Sequence, residues 1–213
     1  MKKDNFFFML SILGIVLLIV LVLNINMLFP LPNEQEVLAH FVSLDQQTTE
    51  RGTTPDAQVT LTEFSDFECP YSKAALPLIQ QFHQEYGTKI NIVYKHAPII
   101  QIHPNSGNAA EAAECARAQG KFWAYHELLF ANQQFLDINS LKGYAAQLNL
   151  DIAKFNTCMD THEKVNVIEQ DLQEAIEKGI QGTPTFFVND FKVSGANYEQ
   201  IKIFIDQQIE AKT

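Results

Sequence analysis

The stretch Phe64-Ser65-Asp66-Phe67-Glu68-Cys69-Pro70-Tyr71-Ser72-Lys73 ends an extended segment and starts a helix, with a single cysteine at the junction. Before it, Val59-Thr60-Leu61-Thr62-Glu63-Phe64 alternates with the two-residue period of a strand. After it, Leu78, Ile79, Phe82 and Tyr86 share one helical face. Cys69 therefore stands at a helix mouth. Unpaired amides and the positive dipole end favour an anion there, which makes a sulfur nucleophilic.

The chain on either side builds a framework for that junction. Pro77 removes a backbone donor inside the helix and is expected to kink it, and Gly87 closes it. Lys89 to Lys95 reads as a second strand, giving a βαβ unit with a parallel pair. From Ile99 to about Glu169 the pattern turns helical: an alanine-rich helix follows Pro104-Asn105-Ser106, another spans Lys121 to Ala131, and two more run near Leu141 to Leu148 and Ile152 to Met159, with Asn139-Ser140 and Asp151 as start signals. That is too long for a loop, so residues 99–169 are read as a helical subdomain inserted in the framework. A helix from about Glu163 to Lys178 is stopped by Gly179, and Phe186-Phe187-Val188 with Phe191-Lys192-Val193 reads as a hairpin across Asn189-Asp190. Asn197-Tyr198-Glu199-Gln200 is a capping box before a last helix that buries Ile201, Phe204, Ile205 and Ile209.

Glu63 shares a strand face with Val59 and Leu61, so the alternation that buries those two buries its carboxylate as well. A proton acceptor beneath Cys69 is one reading, with Lys95 as its ionic partner. An exposed glutamate on an edge strand is the other.

The 213 residues, 46% of them hydrophobic, suffice for one core and leave chain over for a tether. Phe6 to Leu23 is an uncharged apolar run preceded by Lys2 and Lys3. It is long enough to span a bilayer with its N-terminal end in the cytoplasm. Residues 1–30 are accordingly read as an anchor, residues 31–54 as a stalk and residues 55–213 as the extracytoplasmic domain. A cleaved signal segment is the competing reading, with a weak small-residue pattern at Val37-Leu38-Ala39. The net charge of −10 argues against nucleic acid or anionic lipid as partner. The six histidines show no spacing typical of a metal site, and no cofactor is called for.

Three cysteines in an exported chain suggest one disulfide and one reactive thiol. Cys69 is the odd one out. Cys115 and Cys158 both fall on helices of the insertion and are expected to bond to each other. The alternatives are two buried thiols, or a thiol that resolves Cys69.

Phe-Ser-Asp-Phe-Glu-Cys-Pro-Tyr, followed far downstream by Gly182-Thr183-Pro184-Thr185-Phe186-Phe187-Val188-Asn189, resembles the DsbA-like branch of the thioredoxin superfamily from about Asp56 onward. The resemblance implies a thioredoxin fold with a helical insertion at this point, a buried acid at Glu63, and a cis bond before Pro184. It places Thr183 and Pro184 beside Cys69, with Pro70, Tyr71, Thr183 and Pro184 meeting an extended substrate peptide. It implies an oxidoreductase acting on protein thiols and disulfides, with a membrane redox partner. The family site is Cys-x-x-Cys, whereas this chain has Cys69-Pro70-Tyr71-Ser72. A serine cannot resolve a mixed disulfide; its hydroxyl is expected to hydrogen-bond the Cys69 sulfur. Single-thiol chemistry, either isomerase-like or reductase-like, follows. Two other readings stand beside it: a dithiol oxidase in which serine has replaced a native cysteine at position 72, and a redox-inactive peptide-binding or chaperone-like module.

Overall fold

The computed structural model describes residues 57–212. The expected anchor and stalk lie outside the described residues. Among those described, no helix is long and apolar enough to cross a membrane.

The sheet is built on β1 (Val59–Ser65), flanked on one side by parallel β2 (Ile90–His96) and on the other by antiparallel β3 (Thr185–Val188). β4 (Phe191–Ser194) pairs with β3 at the edge, so the order is β2-β1-β3-β4. Asn189 takes the positive φ that the hairpin turn needs, and it ties the turn to β1 by exchanging hydrogen bonds with the Thr60 backbone. β1 is a central strand. A glutamate on it is covered on both flanks, which disposes of the edge-strand reading of Glu63.

Cys69 precedes α1 (Pro70–Ala74), and α2 (Leu76–Tyr86) follows after a break at Ala75. The expected single kinked helix is thus two. Pro77 has no amide to donate to the Lys73 carbonyl, and the chain tightens instead, the Ala75 amide donating to the Ser72 carbonyl at 3.1 Å.

The helical run comprises α3 (Ser106–Arg117), α4 (Phe122–Ala131), α5 (Ile138–Gln147) and α6 (Ile152–Asp160). α5 starts earlier than its expected signal: Asp137, not Asn139-Ser140, is the cap, its carboxylate accepting from both of those amides. α3 packs against α4, α5 and α6 and is stapled to α6 by the Cys115–Cys158 disulfide, with Cα atoms 5.9 Å apart. α7 (Val165–Glu177) returns the chain to the sheet, where Ala175 joins Phe64, Ala97 and Phe187 in a small core. α8 (Tyr198–Glu210) is capped by Asn197 and buries Ile201 and Ile205, while Phe204 stacks on Phe191 at the β4 edge.

Candidate active site

The β1–α1 junction hands the chain from a buried strand to a helix within four residues, Asp66 to Cys69. Asp66 folds it back on itself, its carboxylate accepting from the Glu68 amide at 2.8 Å, and the Cys69 amide donates to the Asp66 carbonyl. Phe67 drives inward and stacks on Tyr94 with ring centroids 5.2 Å apart. Cys69 is left at the surface end of the turn as the N-cap of α1, only 4% exposed. With the helix broken at Ala75, what faces the sulfur is the first turn of a five-residue helix rather than a long dipole. The thiol makes no capping bond; it donates to the Thr183 carbonyl at 3.2 Å.

That contact brings together the two motifs that lie far apart in sequence. The Thr183-Pro184 peptide bond is cis. From it a groove of about 600 Å³ opens, lined by Tyr71, Gln181, Thr183, Pro184, Lys192 and Ser194 among others. Tyr71 stands on its wall 74% exposed, and Pro70 occupies the first helical position, where its missing amide costs nothing. Ser72 is fully buried, and its place differs from the expected one: its hydroxyl oxygen accepts from the Asp66 amide at 3.4 Å instead of bonding the sulfur. One helical turn from Cys69, its side chain points back under the junction and is taken up by the loop.

Glu63 is buried at 3% exposure, and desolvation pushes its carboxyl up to about 7, with the Ser65 hydroxyl acting in the opposite direction. Lys95 is not its partner. In the parallel register Glu63 stands opposite Tyr94, while Lys95 stands opposite Phe64 on the other face, where it pairs with Glu174 of α7. Tyr94 is equally buried, and its hydroxyl is held well above the usual phenol range by burial first and the Glu63 charge second.

Several residues that shape the junction were not singled out from the sequence. Asp66 also accepts from the Ile99 amide and from His103 Nδ1, both at 2.8 Å. Glu68 accepts from the Asn105 amide at 2.7 Å and from its side chain at 2.9 Å. Gln133, after α4, donates to the carbonyls of Phe67 and Cys69 at 2.8 and 2.9 Å. The loop before α3 and the loop after α4 thus grip the cysteine turn from two sides. Both bear exposed apolar side chains, Ile100 and Ile102 on one and Phe135 on the other. Only the local Asp66–Glu68 turn had a sequence signal, an aspartate two residues before the amide it binds. Among the described residues no cluster of three or more His, Cys, Asp or Glu stands ready for a metal ion.

Residues 46–207 match the family model described as thioredoxin, and the chain belongs to that family. Among solved structures it is similar to a thioredoxin-like oxidoreductase from Silicibacter pomeroyi DSS-3, at 29% identity and a TM-score of 0.67 over 79% of this chain and 96% of that one. BdbD from Bacillus subtilis shares the fold at 24% identity and a TM-score of 0.68, over 77% of this chain and 96% of that one. The thiol-disulfide exchange protein alpha-DsbA2 from Wolbachia pipientis shares the fold as well, at 19% identity and a TM-score of 0.65, over 82% of this chain and 98% of that one. Na(+)/H(+) antiporter NhaA 3 of Salinispora tropica is 41% identical over 134 residues, 63% of this chain. The chain spans about one fifth of that relative's length, so the likeness is to one segment of it.

Proposed function

We propose that this chain is an extracytoplasmic thiol-disulfide oxidoreductase that acts on protein disulfides through Cys69 alone. The observation that carries the reading is the placement of the Cys69 sulfur, 3.2 Å from the Thr183 carbonyl and beside the groove that begins at Pro184, with a buried serine where a resolving thiol would sit. In the first step the Cys69 thiolate attacks one sulfur of a substrate disulfide. A new sulfur–sulfur bond forms to Cys69, the old one breaks, and the second substrate sulfur leaves as a thiolate. Glu63 accepts the Cys69 proton and returns it on release. An extended substrate segment lies along Thr183-Pro184 and against Tyr71. With serine at position 72, release falls to another thiol, either of the substrate itself, which isomerises it, or of an external reductant, which reduces it. Residues 1–30 tether the domain on the outer face of the membrane, and a membrane redox partner supplies or removes electrons there.

The test is to mix the protein with a peptide containing a disulfide and read intact mass. The expected product is a persistent adduct of one peptide strand on Cys69. Ser72→Cys should make that adduct transient, the introduced thiol displacing the peptide and closing an internal disulfide with Cys69. Absence of any adduct, under conditions where the unfolded chain forms one, would overturn the reading.

A further inference from the structure

The Asp66 side chain is 0% exposed although it ends in a carboxylate. Such a group is tolerated only where donors converge on it. Its Oδ1 accepts from the Glu68 amide at 2.8 Å, and its Oδ2 accepts from the Ile99 amide and from His103 Nδ1, both at 2.8 Å. Two of these donors are backbone. Among the described residues His103 supplies the only side-chain donor to this carboxylate. With amides already bonded to both oxygens the carboxylate acts as acceptor, so the imidazole donates and its Nδ1 carries the proton. We propose that His103 is a positioning residue for Cys69: it holds Asp66 in the rotamer that closes the cysteine turn, and so keeps the sulfur against Thr183. The role rests on the reading that Cys69 is the attacking nucleophile.

The connection from His103 to the sulfur is short and continuous. The Asp66 carbonyl accepts from the Cys69 amide at 3.0 Å, and the Asp66 amide donates to the buried Ser72 hydroxyl at 3.4 Å. Asp66 therefore fastens the chain on both sides of the cysteine. From that turn the Cys69 thiol reaches the Thr183 carbonyl at 3.2 Å. His103 is itself fixed at both ends. Its amide donates to the Ile99 carbonyl at 2.9 Å, and its carbonyl accepts from the hydroxyl of Ser106, the residue that opens α3, at 2.7 Å. Pro104 narrows the backbone choices of the histidine further. The imidazole is thus a strut between the start of α3 and the cysteine turn. Glu68 makes a second link to the same loop through the Asn105 amide and side chain, but Glu68 is half-buried. The Asp66 link outweighs it, because a carboxylate out of water has no solvent to replace a lost donor. Gln133 holds the carbonyls of Phe67 and Cys69 from the other side and leaves the carboxylate to His103.

The experiment measures two properties of the full chain: the rate at which iodoacetamide alkylates Cys69, and the ¹³C shift of the Thr183 carbonyl, which reports the thiol hydrogen bond. His103→Leu keeps much of the bulk of the ring and removes the donor. Loss of a hydrogen bond to a buried charge is expected to favour opening of the turn by about tenfold or more, and alkylation should accelerate by the same factor. The Thr183 carbonyl signal should move with it. His103→Asn carries an amide nitrogen at the same distance from the chain as Nδ1 and should restore the wild-type rate and signal. His103→Gln places that nitrogen further out and should behave as His103→Leu does, so the Asn and Gln variants give an answer even if His103→Leu fails to fold. Fast alkylation with a displaced signal in the Leu and Gln variants, and wild-type values in the Asn variant, supports the proposal. An Asn variant as fast as the Gln variant, or a Gln variant that keeps the wild-type rate, overturns it. So does faster alkylation with an unmoved Thr183 signal, since the sulfur would then have kept its place. No disulfide substrate enters either measurement, so a protein that forms no mixed disulfide counts against the oxidoreductase reading and leaves the role of His103 to its own result.

Discussion

Glu63 makes the protein's stability depend on pH in a direction opposite to that of most carboxylates. In the unfolded chain its proton leaves near 4.5, whereas in the folded chain burial holds it until about 7. The folded state therefore binds more protons through that window. Its advantage from this group is complete below 4.5, is lost as pH rises from 4.5 to 7, and above 7 the fold carries a constant cost on the order of 3 kcal/mol. Glu63→Gln removes the titration. Urea unfolding at pH 4.5, 6 and 8 should show the variant gaining on the wild type across this range and levelling off above it, by up to about 3 kcal/mol. A difference between the two that stays flat with pH would show that Glu63 is charged throughout. Burial of Glu63 was legible in the alternation of β1, because period two needs no knowledge of the neighbours. Its cross-strand neighbour, Tyr94, was not. Lys95 and Tyr94 are adjacent in sequence, and only the register, set by hydrogen bonds between strands, decides which of them shares its face.

At the scale of elements, the cysteine turn is held less by its own helix than by the two loops that close on it. The five residues of α1 are too few to fix an approach angle, and Pro77 cuts them off from α2. Gln133 compensates by donating to the carbonyls of both Phe67 and Cys69, which ties the turn to the chain beyond α4. Removing it strips two hydrogen bonds from a half-buried site. Gln133→Ala is expected to cost about 1–2 kcal/mol and to speed alkylation of Cys69, whose burial depends on the turn staying closed. An unchanged unfolding midpoint with unchanged alkylation would mean that the turn is held by Asp66 and Glu68 alone. The helices themselves were readable from their apolar faces and caps. The grip was not, because its members are 33 to 66 residues apart and act through backbone atoms that carry no sequence label.

At the scale of the molecule, the sheet with α2 and α8 and the helical run α3–α6 are stabilised by different means. α2 and α8 are joined by a polar and aromatic seam: Tyr86 donates to Asp206, Tyr198 to Glu85, and Phe82 stacks on Tyr198. The helical run relies on a covalent link. Cys115–Cys158 closes a separation of 43 residues between α3 and α6, worth at most about 4 kcal/mol through the lost freedom of the unfolded chain. Beside it, Glu111 of α3 pairs with His162 after α6, and Glu114 of α3 pairs with His96 at the end of β2. α3 is thus the member through which the run is fastened to the sheet, and one end of it continues from the loop that grips the cysteine turn. Replacing both cysteines by alanine should lower the melting temperature by about 8–16 °C. Hydrogen exchange should show where: amides of α3 and α6, and then the Asn105 and Ile99 amides that Glu68 and Asp66 hold, lose protection, while β1, β2 and α8 keep theirs. Uniform loss across sheet and helices would instead mean that the domain opens as one unit, and that the seam between α2 and α8 gives the sheet no stability of its own.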